Sequence, residues 1–328
     1  MRCSPRVTAA ILLSFAGLSS ASAADTPAKA EPFKAVPDNP FFSVNDNRLT
    51  FAYIFDGTDP GVPGKTAKQV YAFTHFDVWA YGTNFFNIAM YKSDHNDPAV
   101  GGTAGATEFF GSLRSTIGFN QVFDTTAFTV GPLRNVSFEF GGDVETENNV
   151  VAPAKRAGVL GVQFAFDLPY KGYINVAPLY YKEINHNAFF SCAVIGRPPC
   201  LLDGNTEFRG TWALELNYYM DLGFLPEYLP LSVSGRANFV GPKGNQASPI
   251  NISIPTVVEI NSEPIRLTLD ASKVFWGPKY SHFVDVWVAY RYWQNKFGLD
   301  HLNNPTCTKL RSGSCTESSL YSGISVKF

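Results

Sequence analysis

Long segments in which every second residue is apolar constrain the fold of this chain more than any other feature. In the segment 134–145, positions 136, 138, 140 and 144 carry valine or phenylalanine, while the alternate positions are mostly polar or acidic. The segments 108–120 and 207–221 repeat this pattern. A period of two residues is typical of β-strands with two unlike faces. The sequence therefore predicts an all-β fold.

The length of these segments favours a membrane barrel over a soluble β-sheet protein. They are longer than the usual globular strand of about 5–6 residues, and they match the ~9–11 residues that a tilted strand needs to cross a bilayer. Aromatic residues gather at the segment ends, as in an interfacial girdle. A soluble β-sandwich is the alternative, although its strands are shorter and its turns closer together. No apolar run after residue 24 approaches the ~18 residues of a helical span.

The alternation predicts an antiparallel up-and-down transmembrane β-barrel of about twelve strands, an even number that places both chain ends on one side of the membrane. Counts of ten or fourteen are also compatible, because residues 256–260 could form a separate strand or part of the tenth. The predicted strands are 48–56, 68–80, 84–93, 107–120, 133–146, 155–167, 171–184, 206–221, 230–240, 263–272, 281–294 and 319–328.

Both ends of the chain carry features of an exported barrel. Arg2 and Arg6 precede the apolar run 7–18, and Ala21-Ser22-Ala23 is a small-residue cleavage pattern. We therefore expect a signal peptide over 1–23, cleaved near Ala23, a periplasmic leader over 24–47 and a barrel over 48–328. The last strand alternates up to Phe328, as does the closing strand that the barrel-assembly machinery recognises in bacterial outer-membrane barrels. The sequence predicts a bacterial outer-membrane location with membrane lipid around the barrel.

Four cysteines remain after the predicted cleavage, and they fall in two of the long connections that this topology places outside the cell. An exported chain meets an oxidising compartment, where disulfides persist. Three connectivities are possible, and the equal spacing favours two local bridges. We expect no metal site, because no C-x-x-C motif or neighbouring histidine pair occurs, and no cofactor is implied. The predicted disulfide residues are Cys192, Cys200, Cys307 and Cys315.

About twelve strands would leave a lumen wider than a packed eight-stranded barrel and narrower than a porin. Its predicted inner face mixes charges of both signs, which suits a neutral polar solute, and a structural ion pair is the alternative role for each residue. The 26 basic and 28 acidic residues leave no basic excess for nucleic acid. The candidate pore-lining and substrate-binding residues are Tyr71, Phe73, His75, Asp77, Glu108, Arg114, Glu139, Asp143, Glu207, Arg209, Glu215, Asp285 and Arg291.

The segment 70–86 resembles the second hairpin of the nucleoside-specific channel-forming (Tsx-like) outer-membrane proteins. In both, a strand rich in aromatic and acidic residues meets a short glycine turn, here at Gly82, before an aromatic strand. Glu108 and Arg114 in the next strand and the terminal Phe328 are also similar. The resemblance implies a twelve-stranded barrel with a narrow pore for nucleosides. The paired cysteines and the proline-rich leader depart from the family pattern.

The predicted function is passive uptake of small hydrophilic solutes, with nucleosides as a candidate substrate. One alternative is a lipid-modifying enzyme barrel with a serine and a histidine on its lipid-facing wall, and another is a structural or adhesive surface barrel. Neither G-x-S-x-G nor H-E-x-x-H occurs, so we expect no enzymatic activity. His75 is expected to be a hydrogen-bonding group of the lumen.

Overall fold

The computed structural model describes residues 41–62, 64–149, 153–186, 205–244, 256–310 and 313–328. No helix in this described part is long and apolar enough to cross a membrane. Two short helices, α1 (Phe119–Val122) and α2 (Ala271–Trp276), accompany a single sheet. Its strands are β1 (Phe42–Gly57), β2 (Thr66–Trp79), β3 (Gly82–Ser93), β4 (Thr107–Gly118), β5 (Leu133–Glu147), β6 (Ala154–Leu168), β7 (Gly172–His186), β8 (Asn205–Glu207), β9 (Thr211–Asp221), β10 (Leu231–Val240), β11 (Glu259–Asp270), β12 (Val284–Gln294) and β13 (Thr316–Lys327).

The sheet closes on itself. Each wall strand pairs antiparallel with its neighbours in chain order, and β1 pairs with β13 from Arg48 opposite Lys327 to Ile54 opposite Tyr321. The short β8 and the longer β9 lie end to end along β7, so together they occupy one position in the wall. The predicted antiparallel up-and-down barrel of twelve strands is therefore confirmed.

The eighth wall strand is interrupted, where the sequence predicted one continuous strand over 206–221. Ile184 of β7 pairs with Glu207, whereas Tyr181 pairs with Thr211, so one extra residue enters between β8 and β9. A Cβ atom at Gly210 would lie 1.9 Å from the Tyr180 hydroxyl. Glycine therefore leaves room for the Tyr180 ring, which would have to move to accommodate any side chain at this position.

Two strand boundaries differ from the predicted ones by four residues or more. Strand β1 begins at Phe42 rather than at 48, because the mixed polar segment 43–47 hides its alternation. Strand β11 begins at Glu259, so the end of the segment 256–260 belongs to the tenth wall strand and forms no extra one. The predicted signal peptide and the part of the leader up to residue 40 lie outside the described residues.

The two ends of the barrel carry connections of different length, as expected for an outer-membrane barrel. The terminal rim, which holds the start of β1 and Phe328, carries the connections 80–81, 119–132, 169–171, 222–230 and 271–283. The opposite loop rim carries 58–65, 94–106, 148–153, 187–204, 241–258 and 295–315. The two longest terminal-rim connections are the ones that contain α1 and α2.

The outer face of the barrel is apolar. Outward side chains in the middle of the wall are about half exposed, for example 46% at Ile88 and 56% at Leu49 and Leu320. Exposed rings lie near both ends, as in the girdles of membrane barrels. A closed sheet satisfies its own backbone hydrogen bonds, so such a surface can face lipid. The rings are Tyr81, Tyr170, Tyr228 and Trp276 at the terminal rim, and Phe55, Tyr180 and Trp212 at the loop rim.

Apolar side chains of the inner face pack on two opposite walls of the lumen. One cluster on β1, β2, β3, β12 and β13 includes Ile54, Val70 and Trp287. The other cluster, on β6, β7, β9 and β10, includes Leu179 and Tyr181. These clusters narrow the lumen from both sides, and polar side chains fill the space that they leave.

The predicted disulfide between Cys307 and Cys315 is present in the connection 295–315. Both sulfur-bearing side chains are fully buried and pack against Leu299. Cys192 and Cys200 lie outside the described residues.

Reduction of the Cys307–Cys315 bridge should loosen the loop and leave the barrel folded. The bridge closes a short ring outside the wall, worth about 2.5 kcal/mol by chain entropy, and it makes no contribution to the strand ladder. We expect faster proteolysis within 295–315 after reduction, with unchanged heat-modifiable mobility on gels. Loss of that folded mobility on reduction would show that the loop supports the barrel.

Candidate functional site

The lumen contains a cavity of about 880 Å³. Side chains from almost every wall strand line it, which identifies it as the interior of the barrel. Eight carboxamide side chains form a large part of its polar wall. They are Asn87, Gln121, Asn135, Gln163, Asn175, Asn217, Asn238 and Asn261.

Arg114 braces this chamber from one wall to another. Its guanidinium donates to both carboxylate oxygens of Asp143, each at 3.0 Å, on the neighbouring strand β5. It also donates to Glu215 on β9, at 2.6 and 2.9 Å. Bidentate arginine–carboxylate pairs are strong and directional. The brace therefore fixes the position of β4 relative to β9, four places away around the barrel.

A buried ion-pair cluster fills the lumen at the loop rim. The ammonium of Lys68 lies 3.0 Å from Asp59, 3.0 Å from Glu108 and 3.5 Å from Glu147. These four side chains are at most 11% exposed. We call this group, together with Lys296 and Glu317, the rim cluster.

Lys296 connects the rim cluster to the loop that follows β12. Its ammonium lies 2.6 Å from Glu317 and 3.6 Å from Asp59, and it donates to the carbonyl oxygen of Thr58. A second loop lysine, Lys243, enters the lumen beside the rim cluster and pairs with Glu183 and Glu259. Both lysine side chains are at most 2% exposed. Two loops therefore each contribute a buried cation to the lumen at the loop rim.

Two loop aspartates, Asp59 of the rim cluster and Asp97 beside it, have pKa values shifted in opposite directions. Burial alone would raise the pKa of Asp59, but the charges of Lys68, Lys296 and Arg291 hold this pKa at about 2. Burial and the neighbouring Asp59 carboxylate raise the pKa of Asp97 above its ordinary value. Asp59 is thus the ionised partner of the lysines, while Asp97 holds its proton more readily.

The chamber extends towards the terminal rim and stops below the loop rim. Gly82, Gln121 and Arg134, all at the terminal rim, contribute to its lining. Among the described residues, none from the loop-rim connections lines it. The lumen is therefore a polar chamber that is closed at the loop rim by charged side chains.

The structure places seven of the predicted lumen residues on the inner face. Glu108 belongs to the rim cluster, and Asp285 lies towards the terminal rim, where Arg48 donates to it at 2.6 Å. The remaining five line the chamber: Arg114, Glu139, Asp143, Glu215 and Arg291.

The prediction that Tyr71, Phe73, His75 and Asp77 line the lumen is wrong. On β2 the inner face carries the alternate set, which includes Lys68, Val70 and Thr74. The aromatic and ionisable residues of this strand suggested the opposite assignment, but alternation alone does not say which of two mixed faces points inward.

A hydrogen-bond network explains why ionisable groups are tolerated on the outer face of β2. The ring nitrogens of His75 lie 2.8 Å from Asn47 and 3.0 Å from Asp77. Asn84 donates to the other Asp77 oxygen at 2.9 Å and accepts from Ser115 at 2.8 Å. The network crosses four neighbouring strands close to the terminal rim, so these polar groups satisfy one another.

Glu207 and Arg209 also lie outside the chamber, contrary to prediction. Glu207 faces outward at the loop rim, 2.9 Å from Lys182, and Arg209 is exposed between β8 and β9. The extra residue between these strands reverses the alternation, so Glu207 and Glu215 lie on opposite faces although their spacing is even. The broken strand is therefore the reason for the error.

Sequence reasoning missed the carboxamide wall and the lysines of the rim cluster. Asn87 is separated from Ala89 and Tyr91 by an even number of positions, as Lys68 is from Val70. This spacing could have placed Asn87 and Lys68 on the inner face. No local signal identifies Lys243 and Lys296, because they come from loops and meet their carboxylates only in the folded barrel.

No known protein family matches the chain, and no curated protein matches it in sequence. The resemblance to the nucleoside-specific channel family therefore has no support from these comparisons. Among solved structures, the chain is similar to the translocator domain of the autotransporter NalP from Neisseria meningitidis, with 12% identity, a TM-score of 0.41 and coverage of 86% of this chain and 88% of that one.

Two further solved structures match the chain with similar coverage. The β domain of the Bordetella autotransporter BrkA has 7% identity and a TM-score of 0.37, over 87% of this chain and all of that one. A bacterial polysaccharide outer-membrane secretin has 8% identity and a TM-score of 0.36, over 87% and 98%. These likenesses concern the barrel fold alone.

Substitution of Asp77 by alanine should destabilise the barrel strongly for a residue of its outer wall. The change would leave the His75 Nε2 atom and the Asn84 amide nitrogen without the carboxylate that they contact, at a cost of about 2–4 kcal/mol. Urea unfolding of the refolded protein in micelles measures this. Asp167→Ala is the matched control, because its carboxylate is 60% exposed and pairs only at the surface with Arg134, for which we expect less than about 1 kcal/mol. Equal costs for the two variants would contradict the network.

The ion pairs of the rim cluster should persist in mild acid and break in strong acid. Because the pKa of Asp59 is lowered from 3.8 to about 2, its stabilising contribution is complete above the ordinary value and is lost as the pH falls through about 2. We expect pepsin cleavage within 295–315 to rise steeply from pH 4 to pH 2, relative to an unfolded substrate. In Asp59→Asn that rise should be absent, and an identical rise in the variant would exclude Asp59 as its cause.

Proposed function

We propose that this chain spans the bacterial outer membrane and passes small polar solutes through its lumen, with the rim cluster as the gate. The observation that carries the proposal is a polar chamber inside a closed barrel, shut at one end by buried lysines from two loops.

The membrane location rests on the inversion of polarity in the barrel. Apolar side chains about half exposed on the outer face would be unfavourable in water as a continuous belt, whereas hydrocarbon solvates them well. Rings at both ends fit the level of the lipid headgroups. The barrel also leaves no unpaired sheet edge in the belt, as lipid requires. The predicted export of the chain and its terminal alternating strand point to the outer membrane.

The lining of the chamber favours hydroxylated or otherwise polar solutes. Carboxamides can both donate and accept hydrogen bonds, and the nearby arginine charges are largely neutralised by partners such as Asp143 and Glu215. Nucleosides are one candidate class, because their hydroxyls could bond to the carboxamides and their bases could stack on Tyr91 or Tyr173. Conduction would need weak binding at several places along the lumen.

The rim cluster and the adjacent Lys243 suit a gate because two of the three lysines there come from loops. Lys243 and Lys296 bind carboxylates that belong to the wall strands, Glu183, Glu259 and Glu317. Movement of either loop would withdraw a lysine from the lumen and leave an opening at the rim cluster. Removal of one partner of a buried ion pair typically costs about 3–5 kcal/mol, which is enough to change a closed-to-open ratio more than a hundredfold.

Conductance in a planar bilayer tests the gate. The refolded wild type should show rare openings, and the double variant Lys243→Met with Lys296→Met should raise the open probability at least tenfold. Lys65→Met is the matched control, because Lys65 is exposed in a loop of the same rim and should leave the openings unchanged. Blockade by uridine but not by sorbitol would identify nucleosides as the solute class.

A closed structural or adhesive barrel is the second candidate. The filled half of the lumen at the loop rim favours it, since a dense ion-pair plug can brace a barrel without ever opening. Folded wild type and folded double variant that both remain silent would contradict the channel and support this candidate. The proposal includes no catalytic step.

A further inference from the structure

Arg236 differs from the other arginines that line the chamber. Arg114, Arg266 and Arg291 each lie within 3.0 Å of a carboxylate, and Arg134 pairs with Asp167 at 3.1 Å. Arg236, on β10, lines the same chamber and is exposed within it. Among the described residues, its side chain forms neither a hydrogen bond nor an ion pair.

The carboxylates near Arg236 are already engaged. Glu263 faces it across the β10–β11 ladder, but Arg266 donates to Glu263 at 2.6 Å. Glu215, on the neighbouring strand β9, uses both oxygens for Arg114. Arg236 therefore presents a full positive charge to the chamber. An unpaired guanidinium matches the geometry of a carboxylate or a phosphate.

Asparagines surround this cation on the inner wall. Asn217 lies opposite Arg236 on β9, and Asn175 donates to Asn217 at 3.0 Å from the next strand. Asn238 lies two residues along β10, opposite Asn261 on β11. The side-chain oxygens of Asn175, Asn238 and Asn261 are buried and accept no hydrogen bond within the described residues. By turning slightly, each could accept from a hydroxyl group.

We propose that Arg236 anchors a binding site for a small hydroxylated solute with one acidic group, carboxylate or phosphate. The acid binds the guanidinium, and hydroxyls of the solute donate to the unpaired oxygens of Asn238 and Asn261. This inference rests on the proposed function, because it names the solute class of the same chamber. It gives acidic solutes an advantage over neutral ones, nucleosides included.

Calorimetric titration of the refolded full chain in micelles tests the site without requiring transport. Gluconate and glucose 6-phosphate are the acidic probes, and glucose is their neutral counterpart. At low salt at least one acid should bind tenfold or more tightly than glucose, since hydrogen bonds to charged groups are the stronger ones. Tighter binding of gluconate would identify a carboxylate site, and tighter binding of glucose 6-phosphate a phosphate site.

Variants distinguish Arg236 from the overall charge of the protein. Arg236→Gln should weaken the favoured acid about tenfold to a hundredfold and leave glucose unchanged, while Arg236→Lys should retain part of the preference. Arg156→Gln removes the same charge from an exposed residue of β6 on the outer face and should have no effect. Heat-modifiable mobility confirms that each variant is folded.

The inference is overturned if neither acid binds more tightly than glucose, or if the preference survives in Arg236→Gln. Its failure is distinct from failure of the channel, because a barrel that never conducts could still bind the acid in micelles, and a conducting barrel could lack the preference.

Discussion

Closure of the backbone ladder between β1 and β13 is the constraint on which the rest of this structure depends. Without that seam, the sheet would expose two edges whose amide and carbonyl groups could not be satisfied in lipid. With the seam formed, the wall needs no support from an apolar interior. Alternate side chains can then be apolar outside and polar inside, which reverses the arrangement of a soluble protein.

The closed wall also determines where charge can reside. A lumen of about twelve strands is too wide to be filled by the wall side chains alone, and this chain fills its two halves differently. At the loop rim, lysines from the wall and from two loops bind six buried carboxylates. Towards the terminal rim, carboxamides and a few arginines leave an open chamber. The difference arises because the loops contribute cations at only one end.

Much of the fold could be predicted from the sequence, because strand alternation is a local signal. The segment 133–146 was predicted almost to the residue, as β5 shows, and the Cys307–Cys315 bridge followed from equal spacing within loops. The site was harder to predict. His75 and Asp77 were assigned to the lumen, but partners on two other strands satisfy them on the outer wall, and no local pattern reveals such partners. Glu207 was misplaced by one extra residue in its strand.

Prediction from the sequence was limited in the same way for the charged residues of the inner face. Arg114, Asp143 and Glu215 were all predicted to line the lumen, but that they form one brace depends on strands that are far apart in sequence. Arg236 was not identified at all. It differs from the other arginines because its neighbours Glu263 and Glu215 already bind Arg266 and Arg114. Pairing of charges is decided by the closed barrel rather than by spacing along the chain.

We expect the lumen to be a chamber that is accessible from the terminal rim and closed at the loop rim. Side-specific labelling of Ser234→Cys tests it most directly, because Ser234 lines the chamber and the change is nearly isosteric. The variant is reconstituted in vesicles of known orientation, treated with a membrane-impermeant thiol reagent from one side, and analysed by mass spectrometry of the labelled peptide. We expect the thiol to be labelled from the terminal-rim side and protected from the loop-rim side. Equal labelling from both sides, or labelling from the loop rim alone, would contradict it.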